Sequence, residues 1–452
     1  MKILITGATG FVGNTLLPLL VEKGHEIIVL TRDSKTAQVR LPVVCKIIEW
    51  NNISTLKDES IEAVVNLCGE NVASGRWTAK RKQAIYDSRV LSTRNLIDYF
   101  RNSSHLIKCW VSASAIGVYE NSIVPDESSP SGQGFLAKVV KDWEEETFRA
   151  KDLNIRTIAL RIGMVLGFDG GAMEKLLPLF KLGLGGNISN GNQWMSWIHV
   201  RDLAGLIAEA IENPSYEGAI NAVSPNSITN RDFTSTLAAT LNRPALFPVP
   251  AWVFKLLLGE MSQILINSQK VSSDRAKKLG YKFIYPKLEG ALKIICSQPG
   301  HTLLIEQWVP QPIDKIFEFF TDPQNLETLT PNFLHFKILR STSSPIQEGT
   351  FLDYSLKIRG IPVHWQSKIT ECIPGVRFSD EQTKGPYKFW HHTHEFFEKN
   401  GGTIIRDRIL YKLPGWIPGD IIAHWFIRKD LEKIFLYRRE VVEKLFHSKE
   451  EN

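Results

Sequence analysis

Met1-Lys2-Ile3-Leu4-Ile5-Thr6-Gly7-Ala8-Thr9-Gly10-Phe11-Val12-Gly13 opens the chain and determines what kind of fold follows. Lys2 to Thr6 is a short apolar, β-branched run of the kind buried on both faces of a parallel sheet. It stops at a glycine and passes directly into a helical pattern, which predicts a strand, a tight turn and a helix. The three glycines act separately. Gly7 permits the turn, Gly10 lets backbone amides approach a pyrophosphate, and Gly13 allows close helix packing. Unpaired N–H groups and the positive end of the helix dipole then face the anion. The spacing is G-x-x-G-x-x-G, and its position between a strand and a helix makes it a dinucleotide-binding turn.

Beyond this stretch, Phe11 to Lys23 continues as a helix that Pro18 is expected to kink or end early. Glu26 to Leu30 is a second strand, closed by Thr31-Arg32. An acidic residue at this place would bind a ribose 2′-hydroxyl; Arg32 suits a 2′-phosphate instead and favours NADP(H) over NAD. Further strands are expected at Cys45 to Trp50, Ala63 to Leu67, Lys108 to Ser114 and Arg156 to Leu166. Helices are expected at Thr78 to Arg101 and around Leu136 to Thr147. Strands alternating with helices give an α/β fold with a doubly wound parallel sheet and ligand at the strands' carboxyl ends.

These stretches resemble the extended short-chain dehydrogenase/reductases, in particular the atypical epimerase-like or SulA-like subfamily, over residues 1 to 297. The resemblance rests on Gly7 to Gly13, Asn66-Leu-Cys-Gly-Glu-Asn71, Ser88-Arg89, Ser112 to Tyr119, Arg161 to Gly167, Leu182 to Gly186 and Gln193 to Ala204. It implies that NADP(H) is held by Gly7, Thr9, Gly10, Phe11, Val12, Gly13, Thr31, Arg32, Leu67, Cys68, Gly69, Arg89 and Val165. The superfamily's Tyr-x-x-x-Lys pair, which moves the carbinol proton, is missing: its helix here begins Gly134-Phe-Leu-Ala-Lys138-Val-Val140. Ser112 or Ser114 could polarise a carbonyl, and Tyr119, Glu70 or His199 could serve as acid or base. Each also has a purely structural reading, as a packed aromatic, a strand-end carboxylate and a loop-holding histidine. Trp194, Met195 and Trp197 either line an apolar pocket near the nicotinamide or cap the core. Residues 243 to 296 read as a small helical lid, in which Leu256-Leu257-Leu258 is expected in the core. Thr229-Asn-Arg-Asp232 reads as a capped helix start.

The pattern breaks at Ser297-Gln-Pro299-Gly300. Behind it come a strand, two short helices, six more strand-like runs and a helix of nearly thirty residues, Gly419 to His447. Such a helix needs a curved antiparallel sheet to bury its apolar face. This order resembles the START-like (SRPBCC) helix-grip domains over residues 301 to 450, through Pro310-Gln-Pro-Ile-Asp-Lys-Ile-Phe-Glu-Phe-Phe-Thr-Asp322-Pro. The resemblance implies a lipid-like or other small hydrophobic ligand between sheet and helix, where Trp365, Phe389, Trp390, Phe396, Trp416, Trp425 and Phe426 either line a cavity or fill it. His392 and His394 share a strand face, but no third ligand converges by spacing, so no metal is expected.

With 452 residues the chain exceeds a single core. Its 54 basic and 48 acidic residues are interspersed, which argues against nucleic acid as a partner. Five scattered cysteines without metal spacing fit reduced thiols and a cytoplasmic address. No apolar run is long enough for a membrane span. The resemblance implies either an NADP(H)-dependent oxidoreductase or epimerase on a hydrophobic substrate, or a non-catalytic NADP(H)-binding regulator similar to cell-division inhibitors.

Overall fold

The computed structural model describes all residues except 121–123, 169, 299, 414–416 and 448–452; the side chains of 417–425 and 447 also lie outside the description. The expectations for Pro299, Trp416 and Trp425 therefore fall outside the described residues or side chains. The chain forms two compact units, Met1–Arg32 with Cys45–Ser297, and Asp33–Val44 with Gln298–Asn452.

In the first unit, β1 (Lys2–Thr6), β2 (Glu26–Thr31), β3 (Lys46–Glu49), β4 (Ala63–Asn66), β5 (Cys109–Ala115) and β6 (Arg156–Ile162) form one sheet with a further strand, Gly218–Ala222. All its pairings are parallel. β1 lies between β2 and β4, so the strand order reverses beside it. A ligand crevice opens at the carboxyl ends of strands at such a reversal. The sheet is α/β and doubly wound, with fully buried Ile3, Leu4, Ile5, Val64, Val65, Trp110 and Val111 at its centre.

Helix α1 runs from Phe11 to Glu22, straight past Pro18. Burial of Leu16, Leu17 and Leu20 explains why. At about 1.5–3 kcal/mol each, three buried leucines outweigh the ~3 kcal/mol cost of an interior proline. The expected helix over 78–101 is instead two, Ala79–Asp87 and Val90–Arg101, parted at Ser88-Arg89. Both parting residues are engaged by the end of β4: Glu70 N–H donates to Ser88 Oγ, and Arg89 donates to the Glu70 carbonyl. The expected long sixth strand is also divided. Gly163 separates β6 from Met164–Gly167, which leaves the sheet to pair with Trp197–His199. A side chain at Gly163 would meet Ser196 O at 2.6 Å, so the crossing requires glycine.

Helix Asn230–Leu241 has the capping box foreseen at its start: Thr229 Oγ1 accepts from Asp232 N–H, and the Asp232 carboxylate accepts from Thr229 N–H. Thr229→Ala should cost about 1 kcal/mol, read as a lower midpoint in chemical denaturation. The lid expectation fails in one detail. Helix Ala251–Leu258 buries none of its residues, and Leu256 and Leu257 are 66% and 62% exposed rather than in the core. A single two-turn helix with apolar residues on every side cannot turn them all inward.

The second unit is a seven-stranded antiparallel sheet in the order 301–309, 402–412, 389–399, 377–384, 361–373, 351–358, 337–341. The unit's first strand pairs with its last, with Leu303 opposite Ile409 and Ile305 opposite Asp407. Helix Ile417–His447 packs Leu431, Phe435, Val442 and Phe446 against this sheet. Segment Asp33–Val44 belongs here, because Arg40 forms a two-pronged pair with Glu432 and Val44 N–H donates to Glu306. Between sheet and helix lies a cavity of about 470 Å³. Of the seven aromatics expected around it, Trp365 and Trp390 line it, whereas Phe396 is packed into solid core. Phe389 and Phe426 are not among its walls. No described helix is long and apolar enough to cross a membrane.

Candidate functional site

At the strand reversal the three glycines are required by geometry. Gly7 has φ +69°, and a Cβ there would lie 2.5 Å from Leu67 O. Gly10 caps α1 with no side-chain hydrogen bond of its own, and a Cβ there would meet only Gly7 O, at 3.2 Å. The first-turn amides of α1 are thus left without a capping side chain, as an anion site at a helix N-terminus requires. Gly13 differs from expectation: its Cβ would meet Ala8 O at 2.3 Å, so it serves the turn itself and not the packing of helix on strand. Thr9 and Val12 belong to the same turn and first helical residues. The Phe11 ring leans on a glycine hairpin, since a Cβ at Gly167 or Gly170 would come within 2.5 Å of it. Val165 lies on the strand leading into that hairpin, opposite Ile198.

Arg32, just beyond β2 and next to Thr31, has an 84% exposed side chain, and its Nη1 is 3.7 Å from Glu70 Oε1. Arg81 Nη1 holds the other Glu70 oxygen at 3.0 Å. Two guanidinium groups therefore flank one carboxylate at the rim, a donor set suited to a phosphate monoester. Arg81 is not apparent from the sequence because nothing in its spacing links it to β2. Gly69 is fixed by Arg89, whose guanidinium would lie 2.9 Å from a Cβ there. Arg89 is half-buried, donating to the Ile85 and Glu70 carbonyls above the Trp143 ring. Burial lowers its pKa to about 10. These bonds hold the Leu67–Glu70 wall in place. Burial pushes the Cys68 thiol up, which favours the thiol over the thiolate. Behind the wall, a buried chain Thr6, Asn66, Thr93 and Trp143 Nε1 links two strands to two helices at 2.7 to 3.0 Å.

Ser114 and Tyr119 meet in a second cluster that sequence reasoning missed. Ser114 Oγ donates to Glu144 Oε1 at 2.5 Å, and Arg161 grips both Glu144 oxygens at 2.8 and 2.7 Å. Arg161 also donates to Tyr119 Oη at 2.9 Å, while that hydroxyl donates to Asn221 Oδ1 at 2.7 Å. Burial opposes the Arg161 charge, and Glu144 more than compensates, so its pKa moves up. Burial raises the Tyr119 pKa against the pull of Arg161. The hydroxyls of Ser114 and Tyr119 are thus both engaged inside the protein. Lys138 points elsewhere, pairing with Asp142 at 2.8 Å with a 70% exposed side chain.

His199 is 4% exposed and caps helix Val200–Glu212, its Nδ1 accepting from Arg201 N–H at 3.2 Å. Asp202, in the first turn of that helix, ties it to the chain beyond by accepting from the Ile284 and Tyr285 amides. Burial first, then Arg201, pulls the His199 pKa down to about 4. A base with a depressed folded pKa stabilises above its unfolded value and loses that contribution as pH falls through the window from about 6.5 to 4. His199→Asn keeps a capping oxygen and cannot titrate. It should remove up to about 3 kcal/mol of acid lability in that window, seen by comparing the melting temperatures of the two proteins at pH 7 and pH 4.5. Trp197 is fully buried core, its Nε1 donating to Asn226 O, and Trp194 lies under Lys270 Nζ at 4.4 Å.

Residues 3–222 match the profile of the NAD dependent epimerase/dehydratase family, and residues 249–295 match a domain of unknown function, DUF1731. The Epimerase family protein SDR39U1 homolog, chloroplastic, of Arabidopsis thaliana is 40% identical over 306 residues, 65% of this chain and 86% of that protein. Human Epimerase family protein SDR39U1 is 35% identical over 303 residues, covering 66% of this chain and all of the human one. The crystal structure of the human protein, isoform 2 with NADPH, superposes with a TM-score of 0.59 at 33% identity over 65% of this chain and 99% of that one. A nucleoside-diphosphate sugar epimerase of Corynebacterium glutamicum gives 0.52 at 32% identity, over 65% of this chain and 57% of its own. Glycine turn, parallel sheet order and sequence identity agree, and the chain belongs to the epimerase family of SDR39U1-like proteins.

Proposed function

We propose that the first unit binds NADP(H) through the Gly7–Gly13 turn and Arg32, and that the chain is an NADP(H)-dependent oxidoreductase or epimerase-type protein acting on a hydrophobic substrate. One observation carries the reading: an exposed arginine at the end of β2 stands beside a glycine turn and an uncapped helix N-terminus, a cation suited to the 2′-phosphate and first-turn amides suited to the pyrophosphate bridge of a phosphorylated dinucleotide. The solved human relative with NADPH supports the same cofactor. The bound nicotinamide would supply hydride exchange, while the chain's own residues cradle the phosphates and wall the crevice. The second unit reads as a START-like helix-grip domain, and its cavity supports a small lipid-like ligand there. None of the five cysteines is in a disulfide, which supports a reducing, cytoplasmic address.

A regulator that binds NADP(H) without turnover is favoured by one specific observation. Ser114, Tyr119 and His199 are all committed to internal hydrogen bonds, and Lys138 is paired outside their cluster. Following nicotinamide absorbance with NADPH and a panel of apolar aldehydes and ketones separates the two. Turnover that falls at least tenfold in Tyr119→Phe supports the enzyme; binding of NADPH with no turnover across the panel supports the regulator.

A further inference from the structure

Five ionisable side chains cluster at the second unit's cavity, four of them lining it with Asp407 behind, and the proposed NADP(H) chemistry uses none of them. Asp380 stands opposite His392 and His394 opposite Asp407 across adjacent strands, while the C-terminal helix contributes Arg438. His392 and His394 are two apart on one strand and share a face, with ring centroids 4.0 Å apart. His392 Nε2 lies 3.0 Å from Asp407 Oδ1. On the other side of the ring, Nδ1 faces Asp380 Oδ1 at 3.8 Å. The other Asp380 oxygen accepts from Ser367 Oγ at 3.1 Å. His394 Nδ1 approaches Asp407 Oδ1 to 2.7 Å out of alignment, and has no hydrogen-bond partner.

Asp380 Oδ1 and His392 Nδ1 face each other at 3.8 Å, a separation that an ion shared by the two would close. One donor atom from each of Asp380, His392 and His394 lies within 4.8 Å of the others. Ligands about 2.1 Å from a shared ion stand roughly 3.0–3.4 Å apart, so small side-chain rotations close the set. We infer that Asp380, His392 and His394 form a binding site for one divalent first-row transition ion, opening into the apolar cavity. Two imidazoles and one carboxylate suit Fe²⁺, Co²⁺ or Zn²⁺ and leave coordination positions facing the cavity. Asp407 fixes the His392 tautomer, as a carboxylate does behind a ligating histidine. The three ligands come from two strands that sequence spacing does not connect, which is why the histidines alone pointed nowhere.

The test is to strip the full chain with a chelator, titrate Co²⁺ and record its visible absorption, with metal analysis for stoichiometry. The expected result is one ion per chain, displaced by Zn²⁺, with affinity weakened about 100-fold in Asp380→Asn and in His394→Gln, each checked for folding by circular dichroism. A folded wild-type chain that takes up no Co²⁺ overturns the inference. Wild-type affinity in either folded variant overturns it too, placing the metal elsewhere. NADPH titration of the same samples reads the first unit independently, so the two proposals fail separately.

Discussion

Glu144→Ala is expected to destabilise the first unit by about 3–5 kcal/mol, because it strands a buried guanidinium. Arg161 and Glu144 have side chains only 10% exposed, and the carboxylate accepts from Arg161 twice and from Ser114 once. Removing it leaves Arg161 with Tyr119 Oη and the Glu127 carbonyl as its acceptors. It also leaves the Ser114 hydroxyl without an acceptor, at a further cost of about 1 kcal/mol. For a unit of this size the melting temperature should fall by about 10 °C or more. The paired replacement Glu144→Leu with Arg161→Met should recover most of the loss, since apolar isosteres of a buried ion pair cost little. Hydrogen exchange along β5 and β6 reads the effect in the unit concerned, without assuming that the whole chain unfolds in one step. A loss below about 1 kcal/mol would show that water already reaches the pair, reopening Ser114 and Tyr119 as available groups.

Arg32→Ala should weaken NADPH binding about 10- to 100-fold while changing NADH binding less than about threefold. A guanidinium bonded to a phosphate dianion contributes about 1.5–3 kcal/mol, and the exposure of Arg32 puts the value toward the lower end at physiological salt. The NADPH preference should shrink as salt rises, because exposed charges are screened. Arg32→Lys keeps the charge but loses the two-pronged geometry, so its affinity should fall between wild type and alanine. Glu70 competes with the phosphate for Arg32 and Arg81, so Glu70→Gln should tighten NADPH and leave NADH nearly unchanged. Isothermal titration of both nucleotides against each variant checks all four expectations. Equal losses for NADPH and NADH in Arg32→Ala would place the 2′-phosphate elsewhere.

The nucleotide turn is legible in the sequence because its physics is local: a strand, three glycines and a helix stand within thirteen consecutive residues. β1 and β2 and the capping box at Thr229 are readable for the same reason, since alternation, caps and turns act over a few positions. What escapes depends on contacts distant in sequence or on competing terms. Gly13 packs on Ala8 where helix–strand packing was expected, and Gly163 diverts a strand because Ser196 crosses it. Pro18 stays helical because buried leucines outweigh a local rule. Glu144 stands on a helix otherwise read for its apolar face, and only the fold shows that Ser114 and Arg161 converge on it. Arg81 reaches Glu70 from a helix whose sequence reads as a solvated surface. In the second unit the order of strands and the long helix are legible from periodicity. Whether aromatics line a cavity or fill it depends on side-chain volumes in three dimensions, which no linear pattern contains.

Cofactor choice rests on the Gly7–Gly13 turn and Arg32 together holding a 2′-phosphorylated nicotinamide nucleotide. Calorimetric titration of the intact chain with NADPH and with NADH, at one salt concentration, puts both parts of that site on trial at once. NADPH is expected to bind at one per chain, at least tenfold tighter than NADH; a chain that binds neither nucleotide would refute the assignment.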